Sequence, residues 1–425
     1  MLDLHVIRDE PGRVREAMRA KGHDTVDVVD HLLDVDESRR AKITALQEAQ
    51  ERSNTISRKI GTLKREGKEE EAQAAIEETG ALKQRIKTLQ DEVDALNEKQ
   101  DALLLEIPNL PHPSVPVGQT EDDNEVVDTV GETPTFDFEP KPHWTLAKQH
   151  GLIDFERGAK VTGAGFPFYV GPGAQLQRAL INFFLDRAGD AGYTEMQPPF
   201  FINPESAKGT GQLPDKEDLM YEMPRDGLYP IPTAEVPVTN YWRDDILDDD
   251  ALPLKVCAYT PCWRREAGSY GKDVRGLNRL HQFDKVELVH VVHPDESYRA
   301  LEALREDAER PMRQLGLPFR RLLMCTGDMG FTQAKKYDLE VWSAGQERWL
   351  EVSSISNFEA FQARRMQIRF RPEPEARPEL VHTLNGSGLA LPRIVAALLE
   401  HYQQADGTIQ IPDVLQPYTG FDAIG

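Results

Sequence analysis

Arginine is the side chain best suited to hold phosphate or carboxylate through two parallel hydrogen bonds. Four arginines, Arg264, Arg265, Arg275 and Arg279, crowd between Cys262 and Glu287, with Glu266 and Lys285 among them. The segment reads as strand, polar loop, strand. Gly268 and Gly271 in the loop allow close approach to a polyanion. Period-two alternation puts Lys285 and Glu287 on one face of the second strand. If a nucleotide binds here, side chains must hold its phosphates. The run Gly268-Ser269-Tyr270-Gly271-Lys272 lacks the spacing and hydroxyl of a Walker A loop, and no GxGxxG follows a strand. On residue chemistry alone, a solvated surface hairpin accounts for this segment as well as an active site does.

The elements that position these residues fall into three textures. Residues 1–106 are charged, with two apolar stripes. Ile43, Leu46, Ala49, Ser53, Ile56, Ile60 and Leu63 form one, and Leu82, Ile86, Leu89, Val93, Leu96 and Leu103 the other. Spacing by threes and fours predicts a coiled coil, and Gly67 between the stripes predicts a reversal into an antiparallel hairpin. About 33 residues per helix would reach about 50 Å. Residues 107–142 read as a Pro-rich and acidic linker, with a stiff Ile107–Pro116 stretch and an exposed turn at Glu121–Glu125. Residues 143–425 mix a helix at Gln175–Asp190, strands at Lys285–His293 and Arg348–Phe358, and a last long helix at Leu391–Gln403. The irregular alternation predicts an α+β domain on an antiparallel sheet rather than a doubly wound parallel one.

Composition narrows the function classes. The 425 residues carry a formal net charge of −22 with 39% hydrophobic content. Bulk attraction to nucleic acid is thereby excluded, so any such contact must come from a local basic patch. The exposed faces of the hairpin offer one: Arg52, Arg58, Lys59, Lys64, Arg65, Lys68, Lys83, Arg85 and Lys87, interleaved with glutamates that would equally form ion pairs. Cys257, Cys262 and Cys325 are too few and too poorly spaced for a zinc site and point to a reducing compartment. MLDLHVIRDE is too charged for a signal peptide, and no apolar run of membrane-spanning length occurs, so a cytoplasmic location is expected. Asn385-Gly386-Ser387 has the form of a glycosylation acceptor, but nothing else points to secretion.

Taken together, the motifs resemble the seryl-tRNA synthetases, a family of class II aminoacyl-tRNA synthetases. Arg264-Arg265-Glu266, then Ala267-Gly268, Asp273, Arg275-Gly276 and His281-Gln282-Phe283, is similar to the family's motif 2, with Trp263 where phenylalanine is usual. Tyr193–Pro199 resembles motif 1, which builds a homodimer. Asn385–Arg393 resembles motif 3, with Leu391-Pro392 replacing a commoner pair. The long hairpin before such a core is specific to the family. The resemblance implies that Arg264, Arg279 and Arg393 carry catalysis. ATP would lie against Arg264, Arg265, Glu266, Leu280, Phe283, Glu351, Val352, Ser353, Ser354 and Arg393. Serine would lie against Thr233, Ala234, Glu235, Glu287 and Ser387. Mg²⁺ would sit at Glu351 and Ser354. The arm, through Arg52, Arg58, Lys59, Lys64, Arg65, Lys83 and Arg85, would grip tRNA(Ser), and tRNA(Sec) where the organism has one. An amino acid:carrier-protein ligase would lack the arm, and a non-catalytic coiled-coil protein would have lost the motif arginines.

Overall fold

The computed structural model describes residues 1–215, 218–266 and 275–425. The Gly268–Lys272 run and the expected motif positions Ala267 and Asp273 lie outside them. The chain divides into two compact units, Met1–Arg19 with His23–Pro108, and Ala20–Gly22 with Asn109–Gly425.

The first unit is helical. Helix α1 (Leu4–Asp9) is capped by the Asp3 carboxylate, which accepts from the His5 N–H at 2.8 Å. Helix α2 (Pro11–Ala20) opens on a proline, tolerated where no intrahelical donor is needed. Two long helices follow, α3 (Asp27–Arg65, 39 residues) and α4 (Glu69–Leu104, 36 residues), each longer than the stripes alone predict. Gly67 reverses the chain between them with φ +73°, a backbone state that a side chain would disfavour. Leu46, Ala49, Leu82, Leu89 and Val93 form the buried seam, flanked by Ile43, Ile56 and Ile86. Asp36 is fully buried and accepts from the Arg8 Nε and Nη2 atoms, from Arg40 and from Gln100 of the facing helix. Burial alone would raise the Asp36 carboxyl. The Arg8 and Gln100 hydrogen bonds outweigh it and hold the group below the usual carboxylate range.

The second unit is built on an eight-stranded sheet: β1 (Glu125–Val130), β2 (Thr194–Glu195), β3 (Leu254–Trp263), β4 (Gln282–Val292), β5 (Phe319–Leu323), β6 (Lys335–Ser343), β7 (Arg348–Asn357) and β8 (His382–Ala390). The spatial order is β1-β5-β6-β7-β8-β4-β3-β2, and every neighbour is antiparallel except β2 beside β3. Val286, Leu288, Leu339, Val352 and Leu384 enter the main apolar core on one face. Helices α5 (His143–Gln149), α6 (Pro172–Asp190), α7 (Ser297–Gln314) and α8 (Leu391–His401) pack residues into the same core. On the opposite face, Val289 and Val291 pack with Ala234, Val238, Ala363 and Met366 into a smaller core.

The α+β expectation holds. The 107–142 stretch, however, does more than connect. Asn109 is buried, donating to the Thr332 and Phe358 carbonyls, and β1 pairs with β5 as an edge strand of the large sheet. Its Val126 and Val127 are exposed, so neither apolar periodicity nor burial marks this strand in the sequence; the ladder with β5 makes it. No helix among the described residues is long and apolar enough to cross a membrane.

Candidate functional site

The β3–β4 hairpin brings the first arginine to the site. Its ladder runs from Leu254↔Val291 to Trp263↔Gln282, and the Arg264 N–H extends it by donating to the His281 carbonyl at 3.0 Å. The Arg264 guanidinium stands 5.3 Å from the centre of the Phe283 ring and donates through Nε to the Pro232 carbonyl at 3.3 Å. It is thus tied to the loop that carries Thr233. Glu266 sits at φ +49°, a strained state for a residue with a side chain, and takes an ion pair from Arg279 at 2.9 Å. Arg393, in the first turn of α8, donates to the Asn278 carbonyl at 3.0 Å and to the Glu351 carbonyl at 2.6 Å. Burial lowers the Arg393 pKa, as do Arg279 and Arg264, while Glu351 and Glu266 oppose them. Three guanidiniums from separate stretches of chain therefore share one electrostatic neighbourhood.

Beside them lies a group of buried acceptors. Thr233 donates to Glu287 Oε2 at 3.1 Å, and Lys285 pairs with the same oxygen, as the shared strand face requires. Glu287 is 1% exposed, and its Oε1 has no hydrogen-bond partner among the described residues. Glu235, also buried, accepts from Gln362 at 2.6 Å and from Asn385 at 2.7 Å. Burial and the nearby Glu287 push its carboxyl up to about 7 despite those donors. The Asn385 Oδ1 is a second buried acceptor without a partner among the described residues. Ser387 lies opposite Glu287 in the β8–β4 ladder. The structure thus brings Thr233, Glu235, Glu287 and Ser387 together, while Ala234 packs into the smaller core.

Glu351 and Ser354 stand three residues apart on β7, so regular alternation would send them to opposite faces. A bulge prevents it. Leu339 pairs with Ser353 and Glu340 with Glu351, leaving Val352 as the extra residue. Glu351 and Ser354 consequently share the face of Asp338, the cross-strand partner of Ser354. Water reaches Glu351, and its partial desolvation would raise the carboxyl. Lys336, Arg393, Arg264 and Lys285 outweigh that and hold it below the usual range. Asp338 pairs with Lys336 at 3.0 Å, and its Oδ1 is buried without a partner among the described residues. Other expected ATP contacts turn elsewhere. The Leu280 and Val352 side chains pack into the main core, Ser353 donates to the Ser387 carbonyl, and Arg265 pairs with Asp218 at 3.2 Å.

Comparison with known proteins decides the family. Residues 1–111 match the seryl-tRNA synthetase N-terminal domain, and residues 221–402 match the tRNA synthetase class II core domain (G, H, P, S and T). A serine–tRNA ligase of Salinibacter ruber is 70% identical over 425 residues, covering 100% of this chain and 99% of the relative. The chain belongs to the seryl-tRNA synthetase family. A second relative, the serine–tRNA ligase of Roseiflexus, is 52% identical over 99% of this chain and 98% of its own. Among solved structures, seryl-tRNA synthetase from Pyrococcus horikoshii, complexed with ATP, superposes with a TM-score of 0.94 at 37% identity, covering 100% and 99% of the two chains. The Naegleria fowleri cytoplasmic enzyme with AMP gives 0.88 at 28%, covering 100% and 98%.

Within this synthetase-family core, sequence reasoning missed the supporting residues. Gln362, on the short helix Phe361–Met366, carries no motif, yet it relays Thr383 to Glu235: its Oε1 accepts from Thr383 at 2.7 Å while its Nε2 donates to the carboxylate. Asp338 and Lys336 pair two residues apart on β6, but only the cross-strand register with β7 brings them beside Glu351 and Ser354. Gln362→Leu removes a donor that favours the ionised form of Glu235. The Glu235 carboxyl should then titrate above its wild-type value near 7, read as persistence of the protonated C=O stretch to higher pH in infrared difference spectra. A downward shift would show that Gln362 does not stabilise the carboxylate.

Proposed function

We propose that this chain activates L-serine with ATP and transfers the seryl group to the 3′ end of tRNA(Ser), working as a cytoplasmic homodimer. What carries this reading is the convergence of Arg264, Arg279 and Arg393 beside the unpartnered acceptors of Glu287 and Asn385. A serine carboxylate oxygen attacks the α-phosphorus, the bond to the β-phosphate bridging oxygen breaks, and pyrophosphate leaves. The 3′-terminal ribose hydroxyl then attacks the acyl carbon and AMP leaves. No side chain acts as nucleophile. Arg264, anchored at Pro232, reaches both the α-phosphate and the serine carboxylate, so it aligns the two reactants. Arg279 and Arg393 neutralise the β- and γ-phosphates, Phe283 and Arg393 sandwich adenine, and Glu266 accepts from its amino group.

Glu351 and Ser354 present hard oxygens on one face. Among the described residues no cluster of three acids, histidines or cysteines could enclose an ion alone. That donor set fits Mg²⁺, which takes one or two protein oxygens and completes its shell with phosphates and water. Bound there, the ion would neutralise charge on the departing pyrophosphate. Glu287 Oε1 and Asn385 Oδ1 are suited to the serine ammonium and hydroxyl. A site built to pair a hydroxyl rejects alanine because its own acceptors would stay unsatisfied. The arm carries the tRNA reading, extending to tRNA(Sec) where one exists. Arg58, Lys59, Lys64, Lys83 and Arg85 are exposed, whereas Arg52 already pairs with Glu78 and Arg65 donates to the Gly61 carbonyl.

Arg264→Ala should reduce serine-dependent ATP–pyrophosphate exchange by about a hundred- to a thousandfold while circular dichroism stays unchanged; full exchange would remove Arg264 from the site. The triple variant Arg58→Ala, Lys59→Ala, Lys64→Ala should leave exchange intact but raise the KM for tRNA about tenfold. It should also flatten the log–log salt dependence of tRNA binding by about 2. An unchanged salt slope would move the RNA off this part of the arm.

A further inference from the structure

A buried dyad stands behind the arginine cluster, in none of the motifs. His143 and Glu400 side chains are both 0% exposed, with Nδ1 to Oε1 at 2.8 Å. Glu400 Oε1 also accepts the His143 backbone N–H at 2.9 Å, and its Oε2 accepts from the Gly345 N–H at 3.0 Å and from the Ser343 hydroxyl. Burial pushes the Glu400 carboxyl up, but these bonds, led by His143, outweigh it and keep it ionised. The other ring nitrogen of His143, Nε2, accepts from the Leu277 N–H at 2.9 Å. An accepting Nε2 fixes the ring proton on Nδ1, facing Glu400.

The neighbourhood of Leu277 is built to meet this ring. Gly276 has φ +67°, and a Cβ there would lie 2.3 Å from His143 Nε2 and 3.0 Å from the Trp144 ring. Arg275 sits 4.6 Å over the Trp144 ring. The next residue, Asn278, donates through its side chain to Gln346 at 2.9 Å and offers its carbonyl to Arg393 at 3.0 Å. Arg279 follows directly. One buried imidazole therefore fixes the main chain from which one arginine projects and to which another is hydrogen-bonded.

We infer that His143 is a positioning residue for nucleotide binding, holding residues 276–279 so that Arg279 and Arg393 meet the same phosphate tail. The inference rests on the proposed reading of those arginines as ATP contacts. Glu400, two turns along the helix that begins beside Arg393, orients the ring, and Gly276 admits it. The dyad touches no reactant, so its loss weakens ATP binding and leaves the serine site unaffected.

The test compares KM values for ATP and serine in pyrophosphate exchange by the full-length chain. His143→Asn keeps a donor for Glu400 but has no acceptor at the Nε2 position. Its KM for ATP should rise about tenfold while its KM for serine stays within about twofold of wild type. His143→Gln, which can place an acceptor near Leu277, should recover much of the loss. Should His143→Asn fail to fold, Gly276→Ala makes the same test by driving a methyl group into the ring, with the same selective rise in KM for ATP expected. Unchanged KM for ATP, or equal rises in both constants, would overturn the inference. Exchange that survives Arg264→Ala would instead overturn the ATP reading itself, whatever the His143 variants do.

Discussion

Three guanidinium groups held in one electrostatic neighbourhood repel one another, and much of this unit's architecture serves to keep them there. Arg393 shows the strain: burial and the charges of Arg279 and Arg264 all weaken its hold on its proton. Two carboxylates, Glu266 and Glu351, offset part of that charge, and main-chain carbonyls at Pro232, Asn278 and Glu351 fix the directions. In the proposed reading, a triphosphate would supply the remaining negative charge. Because the cations are already aimed, little reorganisation is left for the reaction itself, which is the basis of electrostatic catalysis by pre-organised groups.

The acid side of the site obeys the opposite logic. Glu235 and Glu287 are buried near each other, and burial of two carboxylates is unfavourable unless partners are supplied. Lys285 and Thr233 serve one oxygen of Glu287; Gln362 and Asn385 serve both oxygens of Glu235. The atoms left over, Glu287 Oε1 and Asn385 Oδ1, are what a small amino acid with ammonium and hydroxyl donors would satisfy. On the proposed reading, selectivity would follow from the cost of leaving these acceptors dry and empty.

Some of this was legible in the residues. The 3-4 stripes and Gly67 predict the hairpin, and alternation puts Lys285 and Glu287 on one face, where they pair. Residue chemistry alone could not separate a charged surface hairpin from a site at Arg264–Glu287. The resemblance to a family tipped that balance, and similarity along the whole chain shows the family. What stayed hidden depends on cross-strand register. Glu351 and Ser354 share a face only because Val352 is bulged, and β1 exists only because Phe319–Leu323 offers it an edge. Gln362 and His143 act through contacts more than a hundred residues distant in sequence, and no local pattern announces them.

Electron density for ATP in crystals of the full-length chain measures the central claim most directly. The account predicts one bent triphosphate, its α-phosphate on Arg264 and its far end between Arg279 and Arg393, with adenine on Phe283. An extended triphosphate that leaves either Arg264 or Arg393 without a phosphate oxygen in hydrogen-bonding reach would contradict it.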